Sequence, residues 1–281
     1  MIVFGIDAGG SNLRVTKLDN SKIEQKKYKT GINLTAVKKE DIYKIFNVLK
    51  KDFGEPDVLT GCFSGGGHPK RIIFLKEILE DIFKNTKLEL MSDIEGLHKA
   101  IFNNNKGAVV ICGTGSIVYG KDSNQNTFRA GGWGHLFDDE GSGYWISAQI
   151  INKSLKYRDR IHGYDEIFEK LLEFYNFNDI ESLVNLQMEK DFKAKISSFT
   201  KVALSNPTPL VDKIVEEGTK ILYEKSKIIL NKIEEENDLY LYGSLFNSEY
   251  YLNKFKSKFN NFNLKVFNGE IDKILAELII V

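Results

Sequence analysis

At 281 residues, 42% of them hydrophobic, the chain exceeds the usual single-domain size and is long enough to bury two modest cores. Lysine plus arginine equal aspartate plus glutamate, 39 against 39, a balance that supplies no footprint for nucleic acid or an anionic membrane surface. With no apolar run of roughly 18 residues and no secretory start at the N-terminus, a cytoplasmic protein without nucleic-acid or membrane partners is expected.

Ile2 to Ile6 reads as a buried strand, and Leu13–Leu18 and Lys22–Thr30 alternate as two more, joined by a hairpin turn at Asp19-Asn20. Residues 35–53 carry helical spacing in Val37, Ile42, Ile45, Phe46 and Leu49, with Gly54 as the stop. A strand at Asp57–Phe63, a helix from Pro69 to about Lys84, a short strand at Leu88–Met91 and a helix at Asp93–Asn103 complete a β-β-β-α-β-α-β-α order. From Gly107 the order restarts, with two strands around Gly113-Thr114-Gly115, a third near Thr127–Ala130 and a helix from Glu140 or Gly141. Residues 152–236 are mostly charged amphipathic helix, broken at Asn206-Pro207-Thr208-Pro209, and read as a helical insertion. Strands return at Leu239–Tyr242 and Leu264–Phe267, and a last helix starts near Glu270. The expected domains are residues 1–105 and 106–281, with the last helix packing back on the first. Cys62 and Cys112 lie in or beside apolar runs, without metal-ligand or redox spacing, and are expected to be buried.

Two small-residue turns follow apolar strands, Asp7-Ala8-Gly9-Gly10-Ser11-Asn12 and Cys112-Gly113-Thr114-Gly115-Ser116. Glycines at a strand end let main-chain N–H groups approach an anion, so two such turns can clamp a nucleotide's phosphates. Asp7 is placed to hold Mg²⁺ through water; an Asx turn without ligand is the alternative for this hexapeptide alone. Asp93, at a strand-to-helix junction, is either a general base or an N-cap. The Gly65-Gly66-Gly67-His68-Pro69 run suggests a hinge or cleft wall.

These residues carry a resemblance. Gly131-Gly132-Trp133-Gly134-His135 followed by Asp138-Asp139-Glu140-Gly141-Ser142-Gly143-Tyr144-Trp145-Ile146 looks like the sugar-site signature of N-acetylglucosamine kinases. With residues 2–20 and 91–150, the chain resembles the sugar-kinase, Hsp70 and actin-type ATPase superfamily, within it the BadF/BadG/BcrA/BcrD ATPase family. The resemblance implies an α/β fold of duplicated ribonuclease H-like (actin/hexokinase-type) domains, with mixed five-stranded sheets flanked by helices and a cleft between two lobes. It implies an ATP- and Mg²⁺-dependent kinase of an amino sugar, N-acetylglucosamine at its C6 hydroxyl first, glucosamine or N-acetylmuramic acid next, working as a homodimer. An activator-type ATPase of the same fold is the rival reading, and it requires cysteines for an iron–sulfur cluster.

On this resemblance Asp93 accepts the proton of the sugar hydroxyl. Gly9, Gly10, Ser11, Asn12, Gly113, Thr114, Gly243 and Ser244 meet ATP. Asn33, Gly115, Ser116, Gly132, Trp133, Gly134, Asp139 and Glu140 join Asp93 at the sugar. His135 reads as a structural histidine, and Tyr144 and Trp145 as core. Two departures stand out. Ile117 occupies the place of a sugar-contacting asparagine, a loss on the order of 1–3 kcal/mol for an unpaired hydroxyl. Asn268-Gly269-Glu270-Ile271-Asp272 replaces a Gly-Ala turn before the last helix.

Overall fold

The structure, a computed structural model, describes residues 1–10, 12–20, 22–235 and 237–280. Two compact units divide it: residues 1–105 with the C-terminal segment from Asn268, and residues 106–267.

In the first unit β1 (Ile2–Ala8), β2 (Leu13–Asp19) and β3 (Lys22–Tyr28) form an antiparallel meander. Asp19 pairs with Lys22, and Asn20 takes the left-handed φ of 52° that a tight hairpin needs. Then come α1 (Lys39–Phe53), β4 (Val58–Phe63), α2 (Pro69–Ile82), β5 (Lys87–Ser92) and α3 (Asp93–Phe102). The sheet order is β3-β2-β1-β4-β5, with β4 and β5 parallel to β1. The first helix starts four residues later than its periodicity suggests. Asn33 Oδ1 accepts from Thr35 N–H at 3.0 Å, an Asx turn that holds the chain out of the helix. One sheet face buries Phe4, Ile6, Leu59 and Phe63 against Phe46 and Leu79. On the other, the C-terminal helix Ile271–Ile280 lies over β1 so closely that a Cβ on Gly5 would sit 1.8 Å from the Asp272 carbonyl oxygen.

The second unit repeats this topology. β6 (Gly107–Cys112), β7 (Ser116–Lys121) and β8 (Thr127–Gly131) are antiparallel. After them come α4 (Gly143–Arg158), α5 (Ile167–Tyr175), α6 (Phe192–Ser198), α7 (Thr200–Ser205), α8 (Pro209–Ile233), β9 (Asp238–Tyr242), α9 (Glu249–Lys256) and β10 (Asn263–Val266), and the C-terminal helix is α10. The order β10-β9-β6-β7-β8 matches β5-β4-β1-β2-β3 strand for strand. Helix α4 begins after the expected Glu140 or Gly141 because Gly141 has φ 78°, outside the helical region, and Ser142 caps the helix by accepting from Trp145 N–H at 3.3 Å. The charged amphipathic segment 213–232 forms the body of α8. That helix buries Leu222, Ser226, Ile229, Leu230 and Ile233. Gly120 of β7 accommodates it, since an added Cβ there would lie 2.6 Å from Ile229 Cγ2.

Candidate active site

In the first unit the strand ends build an acidic corner. Asp7, next to last in β1, stands opposite Arg14 of β2 and beside Cys62 of β4, whose thiol donates to Asp7 Oδ1 at 3.7 Å. Burial raises the Asp7 pKa; the Arg14 charge opposes that rise and Asp272 adds to it. Gly96 lets α3 lie against this spot, for a Cβ there would stand 2.2 Å from Cys62 Cβ.

The first residue of α3 is Asp93, and it is not the helix cap. Ser92 is: its Oγ accepts from Glu95 N–H at 3.3 Å, while Glu95 Oε2 accepts from Ser92 N–H at 2.9 Å, a complete capping box. Asp93 keeps an exposed side chain, with Oδ1 accepting from Ile94 N–H at 3.0 Å. Desolvation by the surrounding protein raises its pKa, the Ile94 N–H works the other way, and the Asp7 charge adds to the rise. The structure thus places two carboxylates with raised pKa values within electrostatic reach of each other.

The β1–β2 turn closes through Gly9 N–H on the Asn12 carbonyl at 3.0 Å, and Ile32 N–H takes the Gly9 carbonyl at 2.9 Å. A trans peptide then directs Gly10 N–H away from Ile32. Gly10 is exposed and Asn12 half-buried; Ser11 lies outside the described residues. Asn33 spends its Oδ1 on Thr35, leaving its amide N–H₂ as the group to offer a ligand. His68 caps α2 by accepting from Lys70 N–H at 3.2 Å.

The second unit holds the other turn. The Gly113 and Thr114 carbonyls accept from Gly143 and Tyr144 N–H at 2.8 and 3.2 Å, so the amides of Thr114 and Gly115 face away from α4. Gly243, at φ 115°, presses on the Cys112 carbonyl, where a Cβ would be 2.3 Å away, and the next residue is Ser244. Thr114 and Ser244 open on a cavity of about 830 Å³, also lined by Ser197, Lys201, Asn247 and Tyr250. Its size and hydroxyl-rich wall suit a nucleoside.

Above β7 and β8, the loop of residues 131–142 is shaped by left-handed glycines, Gly131, Gly132 and Gly134 at φ 82°, 75° and 99°. Asp139 is buried at φ 67°, its Oδ1 accepting from Ser116 N–H at 3.3 Å; a Cβ on Gly115 would lie 2.9 Å from its Oδ2. Lys193 of α6 reaches the same Oδ2 at 3.3 Å. Ser116 turns its hydroxyl inward to the Glu140 carbonyl at 2.8 Å. Glu140 pairs with Lys225 of α8 at 2.6 Å, and Lys225 also binds Asp138, whose Oδ2 takes Trp133 N–H. Burial pulls the Asp138 pKa up, but Lys225 and the Trp133 N–H outweigh it and hold the carboxyl below its ordinary range. Trp133 is 70% exposed with the Arg129 guanidinium 3.9 Å over its ring. His135 packs edge-on against Tyr144 and Phe192, and burial followed by the Lys193 charge lowers its pKa. Ile117 sits under Gly132, where a Cβ would be 2.5 Å from Ile117 Cδ1. Lys193 and Lys225 carried no sequence signal, because each meets its loop partners from more than 50 residues away.

The two units thus share one topology, and each carries a glycine turn at the end of its first strand. The BadF/BadG/BcrA/BcrD ATPase family model matches residues 4–273, and the chain belongs to that family. It is 29% identical to the N-acetylmuramic acid/N-acetylglucosamine kinase of Clostridium acetobutylicum, over 99% of this chain and 97% of the relative. It is 27% identical to the N-acetyl-D-glucosamine kinase of Dictyostelium discoideum, over 73% and 69% respectively. In fold it is similar to a candidate N-acetylglucosamine kinase from Porphyromonas gingivalis, with a TM-score of 0.79 and 17% identity across 99% and 98% of the two chains.

Proposed function

We propose that the protein is an ATP-dependent kinase that phosphorylates the C6 hydroxyl of an amino sugar. N-acetylglucosamine stands first, being common to the names of both curated relatives. The observation that carries the reading is Asp93: relieved of capping by Ser92, exposed, and within electrostatic reach of Asp7. On this reading the sugar contacts are Asn33 and Asp93, with Asp139 and the Gly132-Trp133-Gly134 backbone. Asp93 orients the C6 hydroxyl and takes its proton as O6 attacks the γ-phosphorus, and the bond to the β-phosphate breaks to release ADP. The amides of Gly10, Thr114 and Gly115, with Ser244, hold the phosphates. Glu140 joins the sugar contacts, its carboxylate oriented by Lys225.

The donor set at Asp7 fits Mg²⁺, which takes one or two carboxylates and fills its shell with water and phosphate oxygens. Burial makes the Asp7 carboxylate costly to ionise alone, and a dication offsets that cost. When bound, Mg²⁺ neutralises the phosphates. An electron-transferring ATPase would need accessible thiolates, whereas Cys62 and Cys112 are fully buried, one in each unit. Among the described residues no helix is long and apolar enough to cross a membrane; a cytoplasmic site of action belongs to this reading through the family resemblance. The homodimer implied by the family resemblance belongs to the same reading.

The test is Asp93→Asn. Turnover of Mg²⁺-ATP with N-acetylglucosamine should fall by roughly 100-fold or more while both ligands still bind. Equal losses of binding and turnover would assign Asp93 a structural role.

A further inference from the structure

The segment before the last helix departs from the resembled kinases, with Asn268-Gly269-Glu270-Ile271-Asp272 in place of a Gly-Ala turn. Asp272 is the second residue of α10 and is 2% exposed, so its carboxylate is costly unless something answers it. Only one of its oxygens is answered. Gln25 Nε2 donates to Thr16 Oγ1 at 3.1 Å, and the Thr16 hydroxyl in turn donates to Asp272 Oδ2 at 2.7 Å. Asp272 Oδ1 is buried without a partner, and among the described residues no lysine or arginine pairs with this carboxylate.

The sheet register shows what lies beside it. The Asp272 carbonyl presses on Gly5, which is flanked by Thr16 of β2 and Thr60 of β4; Thr60 Oγ1 is likewise buried without a partner. Asp7 comes two residues later on the same face of β1, flanked by Arg14 and Cys62, and at roughly 3.3 Å per residue the two rows lie about 7 Å apart. Their charges interact across that gap. Burial first, then Asp7 and Asp93, and Asp272 with them, hold the Cys62 thiol well above its ordinary value. Asp272 also adds to the rise that burial gives Asp7, and Arg14 is the cation that opposes them. On the cavity of about 340 Å³ beside Asp272, Lys27 and Glu270 offset each other in charge and Lys26 is paired with Asp52. The corner therefore keeps a surplus of negative charge that the fold leaves unneutralised.

We infer that Asp272 is a positioning residue for the nucleotide's divalent cation: held beside β1 by Thr16, its carboxylate supplies the second negative charge with which Asp7 retains Mg²⁺. The inference rests on the ATP- and Mg²⁺-dependent reading and adds a residue to its metal site. Asp272 acts through Asp7 and need not touch the ion. In the free protein its buried charge is unfavourable, and a dication at Asp7 offsets that cost.

The experiment is calorimetry of ADP binding to the full chain, in saturating Mg²⁺ and in EDTA, for the wild type, Asp272→Asn and Asp272→Ala. Asparagine keeps an acceptor for Thr16 and removes only the charge. Alanine suits a helix and leaves no buried polar atom, so it serves if the asparagine variant does not fold. Mg²⁺ should strengthen ADP binding to the wild type by a factor that either substitution cuts by about tenfold or more. Metal-free ADP, itself an anion, should bind the variants at least as tightly as the wild type. A purely structural role would weaken both forms of the nucleotide alike, and that result, or an unchanged Mg²⁺ factor, overturns the inference. Because no sugar is present, such a failure leaves the kinase reading standing, whereas a wild type that binds no ADP in either condition overturns the nucleotide reading with it.

Discussion

Asp93 and Asp7 show how single residues acquire function from their surroundings. An aspartate at a helix start is most often a cap, but the Ser92–Glu95 capping box has taken that work, so the Asp93 carboxylate needs another account. Its raised pKa has a direct consequence. The base must be ionised to accept a proton, so kcat/KM should fall as the solution is acidified, with a midpoint above the ordinary aspartate value of about 3.9. A pH–rate profile flat down to that value would count against Asp93 as the base. Asp139 makes a second prediction at this scale. Asparagine tolerates the left-handed backbone at 139 while removing the charge, so Asp139→Asn should weaken sugar binding by roughly tenfold or more. ATP binding, measured by calorimetry, should stay unchanged; an unaltered sugar affinity would remove Asp139 from the site.

At the scale of elements, two close fits hold the framework in place. Helix α10 rests on β1 at Gly5, and Thr16 Oγ1 donates to Asp272 Oδ2 at 2.7 Å just beside it. Gly5→Ala should therefore destabilise the first unit by about 3 kcal/mol, since backbone rather than a flexible side-chain tip must move. Urea unfolding followed by circular dichroism would measure this, and a loss below about 0.5 kcal/mol would show that α10 lies more loosely. Helix α8 supports the sugar loop through Lys225. Lys225→Met leaves Asp138 and Glu140 without their partner and should cost about 3 kcal/mol. Because Asp138 is held below its ordinary range, the stability this pairing adds is present above the unfolded aspartate pKa and is lost as pH falls through the folded one. The Lys225→Met deficit should therefore shrink in acid.

Across the whole molecule, what could be read from the chain follows the range of the interactions involved. The duplicated topology was legible because each strand and helix carries its own period and punctuation; Gly54, Pro69, Gly113 and Pro209 all mark real boundaries. The turns and the 131–142 loop were legible because glycine is costly unless a left-handed or close-packed backbone requires it. Lys193 and Lys225 were hidden in helices whose charge pattern also fits plain solvation, since no local spacing encodes a partner 54 or 85 residues away. The final helix, expected to pack back on the first domain, makes a contact that no local spacing encodes. Its membership of the first unit depends on Gly5, at the opposite end of the chain.

The central claim is phosphoryl transfer to an amino sugar, and sugar-dependent ADP release tests it most directly. Purified protein with Mg²⁺-ATP would be offered N-acetylglucosamine, glucosamine, N-acetylmannosamine, N-acetylmuramic acid, glucose or no sugar, with ADP coupled to NADH oxidation. ADP release that requires an N-acetylated amino sugar, and that Asp93→Asn abolishes, is the predicted result. Hydrolysis at the same rate with and without sugar would contradict the account.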